Sequence, residues 1–178
     1  MNTTTVIRNA RLVNEGQVLE SDVLLKDGRI EKIAGDIEAP AGALLVDAKG
    51  RHLLPGMIDD QVHFREPGLT HKGDFYSESR AAIAGGVTSY MEMPNSKPPT
   101  TDAEQLEWKY ARAAETSAAN FGFYFGATND NIENIKALDS ASTCGVKVFM
   151  GASTGNMLVD NESTLAAIFR ESPVIIAT

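Results

Sequence analysis

From residue 55 onward the chain alternates short apolar runs with stretches of helical periodicity, and this alternation restricts the fold more than any other feature. Residues 57–64 read as a strand, 74–84 as a helix stopped by Gly85-Gly86, and 87–93 as a second strand. Thr101 with Glu104 three residues later forms a capping box. The helix it opens aligns Leu106, Tyr110, Ala113, Ala114 and Ser117 on one face. A strand over 121–127, a short helix over 131–138, a strand over 145–150, a helix over 161–170 and a fifth strand over 173–177 complete the pattern. Strands joined by single helices make right-handed crossovers and a parallel sheet. Both an open doubly wound sheet and an arc of a (β/α)8 barrel satisfy it.

Length narrows the second option to a partial barrel of about five strands. A full barrel takes roughly 250 residues, whereas this chain has 178 and stops on Val174-Ile175-Ile176-Ala177-Thr178 with no covering helix. A bare parallel strand is an unusual end for a domain, so the expectation is an N-terminal part of a longer protein.

Before residue 55 the character differs. Apolar runs at 6–13, 23–26 and 29–33 are broken by turn signals, Asp27-Gly28 among them, and a further run at 44–46 is followed by Lys49-Gly50. No helical period appears. The expected organisation is a small antiparallel β unit over 1–54, then the α/β region over 55–178.

Charge and cysteine usage exclude several partners. Sixteen Lys and Arg against 24 Asp and Glu give a net charge of −8, which disfavours nucleic acid and anionic membrane. No apolar stretch approaches the roughly 18 residues of a membrane span, and the start lacks a basic region followed by an apolar run. The single cysteine, Cys144, cannot form an internal disulfide, which suits a reducing cytosol. A cytoplasmic protein acting on a small molecule is expected, with self-association into a homo-oligomer left open.

Three places carry chemistry. In Asp59-Asp60-Gln61-Val62-His63-Phe64-Arg65-Glu66-Pro67-Gly68, strand alternation puts Gln61, His63 and Arg65 on one side. Glu66-Pro67-Gly68 marks the strand's C-terminal end, where a barrel has its active-site mouth; an ordinary polar strand end reads the same way. Asn95, in Met93-Pro94-Asn95, offers donors and an acceptor at the end of the second strand, although Pro-Asn is also common turn chemistry. Lys147, within Val146-Lys147-Val148-Phe149-Met150, is costly to bury unless neutralised or paired. It could meet a carboxylate at the mouth, act as a neutral amine nucleophile, or capture carbon dioxide as a metal-bridging carbamate. The loop at 151–156 reads as substrate-facing, and His52 and His71 as surface residues.

In combination and order, residues 56–68, Met93-Pro94-Asn95 and Lys147-Val148-Phe149-Met150-Gly151 resemble the amidohydrolase superfamily, and within it the dihydroorotases. The resemblance covers essentially the whole chain. It implies a metal-dependent (β/α)8 barrel accompanied by a small β-sandwich, which residues 5–54 would begin. His63 matches the second histidine of the family's His-x-His pattern and is implied as a metal ligand; Gln61 stands where the first would be. Arg65 and Asn95 match the pair that binds the substrate carboxylate. Lys147 matches a carboxylated lysine bridging two zinc ions, so one or two zincs are implied. Further ligands and the catalytic aspartate would lie beyond Thr178, leaving no catalytic residue in these 178 residues.

The implied activity is interconversion of dihydroorotate and N-carbamoyl-L-aspartate, a step of pyrimidine synthesis, in the full-length protein. A hydantoinase or allantoinase acting on another cyclic ureide is the enzymatic alternative. Gln61 also admits a non-catalytic relative that keeps the barrel as a scaffold.

Overall fold

The computed structural model describes residues 4–153 and 155–178. The described residues form two compact units, one up to residue 55 and one from residue 56 onward.

In the first unit, β1 (Thr4–Asn14), β2 (Gln17–Lys26) and β3 (Arg29–Ala34) form an antiparallel meander. Asp27 and Gly28 turn the second hairpin at φ of 50° and 75°, both in the left-handed region that a two-residue type I′ turn requires. The remaining strands correct the expectation of an all-antiparallel unit. Both β4 (Leu44–Asp47) and β5 (His52–Leu53) pair with β1 in parallel. A parallel partner needs a crossover instead of a hairpin, and residues 35–43 supply it. Their Ile37 is buried, its N–H donating to Asp22 Oδ2 at 3.1 Å and its carbonyl accepting from Arg8 at 3.0 Å.

The second unit is a five-stranded parallel sheet in the order β10-β9-β8-β7-β6. Its chain order is β6 (Met57–Val62), α1 (Phe75–Ala84), β7 (Val87–Glu92), α2 (Ala103–Thr116), β8 (Asn120–Gly126), α3 (Ile132–Lys136), β9 (Gly145–Lys147), α4 (Glu162–Glu171) and β10 (Ile176–Ala177). Spatial order follows chain order without reversal. A doubly wound sheet reverses at its switch point, so the winding is that of a barrel arc.

Helix starts follow local chemistry. Asp74 caps α1 and forms a capping box with Ser77. The cap of α2 is Asp102, whose side chain accepts from the Gln105 N–H at 2.8 Å, one residue later than the Thr101 box read from sequence. Asp and Thr are both good caps, and the flanking pattern did not separate them. Between sheet and helices lies a core that includes Phe64, Phe75, Tyr90, Phe123, Phe125, Val146, Val148 and Ile168. Its rings meet at 4.4 Å (Phe64 and Tyr90) and 5.4 Å (Phe75 and Phe123), contacts that add to the stabilisation from area burial. Among the described residues no helix is long and apolar enough to cross a membrane.

Candidate active site

Parallel strands put their C-terminal ends on one edge of the sheet, and the segments leaving that edge carry His63 and Arg65 after β6, Asn95 after β7, and Lys147 at the end of β9. His63 brings them together. It keeps a face open to solvent, while burial of the rest of the ring lowers its pKa below the ordinary 6.5. The positive charges of Arg65, Lys147 and Lys109 lower it further, and only the neighbouring Asn95 side chain pulls the other way. This shift favours the neutral imidazole, the form that can bind a metal ion.

Two loops frame this corner. β6 ends at Val62, so the alternation expected through Phe64 breaks early. Phe64 turns into the core, and Arg65 takes a φ of 70° with its carbonyl accepting from Leu69 N–H at 3.0 Å. Left-handed backbone at a residue with a Cβ is uncommon and clusters at functional sites. Gly68 has a φ of 80°, and a Cβ there would lie 2.0 Å from the Lys97 carbonyl oxygen. The second loop is closed on Pro94, whose carbonyl accepts from both Ser96 and Thr100 at 2.9 Å. Asn95 Oδ1 in this loop is buried without a well-formed hydrogen bond, with the His63 ring as its polar neighbour.

Lys147 is buried at 7% exposure, its carbonyl accepts from Ala127 N–H at 2.9 Å, and its Nζ lies 5.3 Å from the Phe149 ring centroid. No ion pair among the described residues includes it, so the carboxylate partner that sequence allowed is not seen. β9 is also shorter than the expected 145–150: it stops at Lys147, and Phe149 forms only an isolated bridge with Leu158. Of the loop at 151–156, Thr154 lies outside the described residues.

Sequence reading missed the support beneath the corner. Glu92, the last residue of β7, pairs with Lys109 of α2, both essentially buried, and Lys109 Nζ also donates to the Met93 carbonyl at 3.2 Å. Burial pushes Glu92 up to about 7 against the opposing pull of Lys109, and burial lowers Lys109. The detectable signal was a lysine three residues after Leu106 on the apolar face of α2, and a glutamate between two methionines in a strand.

The donors present are right in kind for zinc and too few in number. His63 offers a neutral nitrogen, and Lys147 an oxygen pair only as a carbamate. Gln61 is exposed and its side-chain carbonyl is a poor zinc ligand. A catalytic zinc takes three protein ligands, and among the described residues no three His, Cys, Asp or Glu side chains are grouped to hold a metal.

Comparison with known proteins identifies the family. A family model described as Dihydro-orotase-like matches residues 50–154. The chain is 38% identical to a dihydroorotase of Methanosarcina mazei, over 92% of this chain and 37% of that protein. It is also 38% identical to an allantoinase of Streptomyces avermitilis, over 83% of this chain and 34% of that one. Among solved structures, L-hydantoinase from Arthrobacter aurescens superposes with a TM-score of 0.88 at 32% identity, over 96% of this chain and 38% of its own. The chain thus spans under two fifths of the length of these relatives. On fold, strand-end residues and these matches together, the chain belongs to the dihydroorotase-like family of cyclic amidohydrolases.

Proposed function

We propose that the full-length protein hydrolyses a cyclic amide, interconverting dihydroorotate and N-carbamoyl-L-aspartate in pyrimidine synthesis. The observation that supports this most is the convergence of Arg65, Asn95 and Lys147 on His63 at the C-terminal edge of one parallel sheet. A planar guanidinium takes a carboxylate through two parallel hydrogen bonds. The Asn95 amide, beside the same His63 ring, adds donors and an acceptor. Together they would hold the substrate by its carboxylate and set one ring carbonyl toward the reacting centre, an orientation effect that is large for such reactions.

Hydrolysis breaks the ring C–N bond, delivers hydroxide to the carbonyl carbon and a proton to the leaving nitrogen. In this reading His63 and, as its carbamate, Lys147 would hold zinc together with further ligands outside these residues. Zinc bound there supplies a Lewis acid and a water acidic enough to react near neutral pH. The Lys147 carbamate forms when the neutral amine adds to carbon dioxide and loses a proton. A proton-shuttling aspartate is expected outside this chain. Cytoplasmic placement fits the unpaired Cys144.

The test is a substrate panel on the full-length protein: dihydroorotate, hydantoin and allantoin, with zinc content measured in parallel. Turnover of dihydroorotate alone supports the proposal; turnover of allantoin or hydantoin alone replaces it with the second reading, which the allantoinase and hydantoinase matches favour. Absence of both zinc and turnover after zinc addition would establish the scaffold.

A further inference from the structure

Arg65 stands between two buried neighbours. Phe64, at 7% exposure, packs its ring 4.4 Å from that of Tyr90, and Glu66 is 5% exposed, while Arg65 itself is only partly covered. The Glu66 carboxylate uses both oxygens. Oε2 accepts from the Phe75 N–H at 2.9 Å and Oε1 from Arg112 Nε at 2.7 Å. Phe75 is the first residue of α1 and Arg112 lies on α2, so one side chain ties the loop after β6 to both helices.

This carboxylate has no part in the chemistry above, and the start of α1 does not require it. Asp74 already caps that helix with a capping box of its own. A carboxylate is expensive to bury unless its oxygens are satisfied, and Glu66 meets that condition through partners nine and 46 residues away. What these contacts add is closure of the loop. Its near end is the tight turn at residues 65–69, where Arg65 has a φ of 70° and its carbonyl accepts from the Leu69 N–H at 3.0 Å. Left-handed backbone at a residue with a Cβ persists only where the surroundings enforce it. Before Arg65 the enforcing contact is Phe64 on Tyr90; after it, Glu66 on Phe75 and Arg112.

We propose that Glu66 is a positioning residue for Arg65: its carboxylate, tied to the Phe75 N–H and to Arg112, fixes the turn from which the guanidinium meets the ligand's carboxylate. The inference rests on Arg65 being the carboxylate-binding residue. Glu66 touches no substrate in this scheme and acts only through the turn.

The experiment is a double-mutant cycle of Glu66→Ala and Arg65→Ala in the full-length protein, read as kcat/KM for dihydroorotate alongside the separate KM and kcat and the melting temperature. Glu66→Ala alone is expected to lower kcat/KM by roughly tenfold or more, carried by KM with kcat little changed. In the Arg65→Ala background the same substitution should cost less than about twofold, because the group it positions is gone. Glu66→Gln keeps the length and an acceptor for the Phe75 N–H, and should recover most of the loss. Should Glu66→Ala not fold, Arg112→Met loosens the same tie from the partly exposed side of the pair, and the cycle is run with it.

Equal losses from Glu66→Ala in the two backgrounds would overturn the positioning role, as a general structural effect, and spare the function of Arg65. Unchanged kcat/KM in Glu66→Ala, with Arg65→Ala alone lowering it, overturns it as well. No effect of Arg65→Ala alone would instead remove the carboxylate reading itself, and the positioning role with it.

Discussion

Lys97 donates its backbone N–H to the Pro67 carbonyl at 3.1 Å, joining the loop that carries Arg65 to the loop that carries Asn95. The two carboxylate-binding candidates are therefore set by one shared backbone contact, and Gly68 is what lets the loops approach. Gly68→Ala would force a Cβ to within 2.0 Å of the Lys97 carbonyl oxygen at a φ of 80°. We expect a stability loss on the order of 1–3 kcal/mol and a higher KM for dihydroorotate at a smaller cost in kcat. Thermal unfolding and steady-state kinetics of the full-length variant check both.

Arg65 separates a carboxylate-bearing substrate from a neutral one. Hydrogen bonds to charged groups contribute about 1.5–3 kcal/mol, so Arg65→Ala should raise the dihydroorotate KM roughly 10- to 100-fold. Arg65→Lys keeps the charge, loses the two-pronged geometry, and should fall between. Activity on hydantoin, which offers no carboxylate, should be little altered in either variant. Equal losses on both substrates would show that the guanidinium serves the loop instead of the ligand.

Glu92 and His63 tie stability to pH with opposite signs. Glu92 titrates near 7 in the fold against 4.5 for an ordinary glutamate. The folded chain therefore keeps a proton that the unfolded chain has released; its contribution is full below pH 4.5 and declines as pH rises through about 7. His63 runs the other way. Its folded pKa lies below 6.5, so its contribution is full above 6.5 and is lost as pH falls through the folded value. Replacing the buried pair with Glu92→Gln and Lys109→Met should remove the decline between pH 4.5 and 7, leaving the loss on acidification. Denaturant unfolding at a series of pH values reads both slopes.

Much of this was legible in sequence where the signal is local. The Asp27-Gly28 hairpin, the run of alternating strands and helices, and the four strand-end residues all follow from turn chemistry, periodicity and motif order. What escaped depends on contacts distant in the chain. Antiparallel pairing of β4 was the natural expectation, because nothing local shows residues 35–43 crossing over the sheet. Arg65 reads as the next residue of an alternating strand, whereas the backbone turns left-handed there. Lys109 and Glu92 are 17 residues apart, and each alone reads as an ill-placed charge; only the packing of α2 against the end of β7 makes them a pair.

Gln61 gives the sharpest chemical test. It lies two residues before His63 and is exposed, its backbone N–H donating to Asp59 Oδ1 at 3.1 Å. A neutral amide oxygen contributes little to zinc affinity, whereas an imidazole nitrogen is a strong ligand. Gln61→His should therefore raise the zinc retained after dialysis in the full-length protein, provided the ring reaches the same ion as His63. Lys147→Ala should lower it, and lowering carbon dioxide during reconstitution should mimic that substitution only if the lysine binds as a carbamate. Zinc per chain, measured by elemental analysis, reads all three. If Gln61→His leaves the zinc content unchanged while His63→Ala abolishes it, the metal sits out of reach of position 61, and the two-residue spacing of positions 61 and 63 does not define its site.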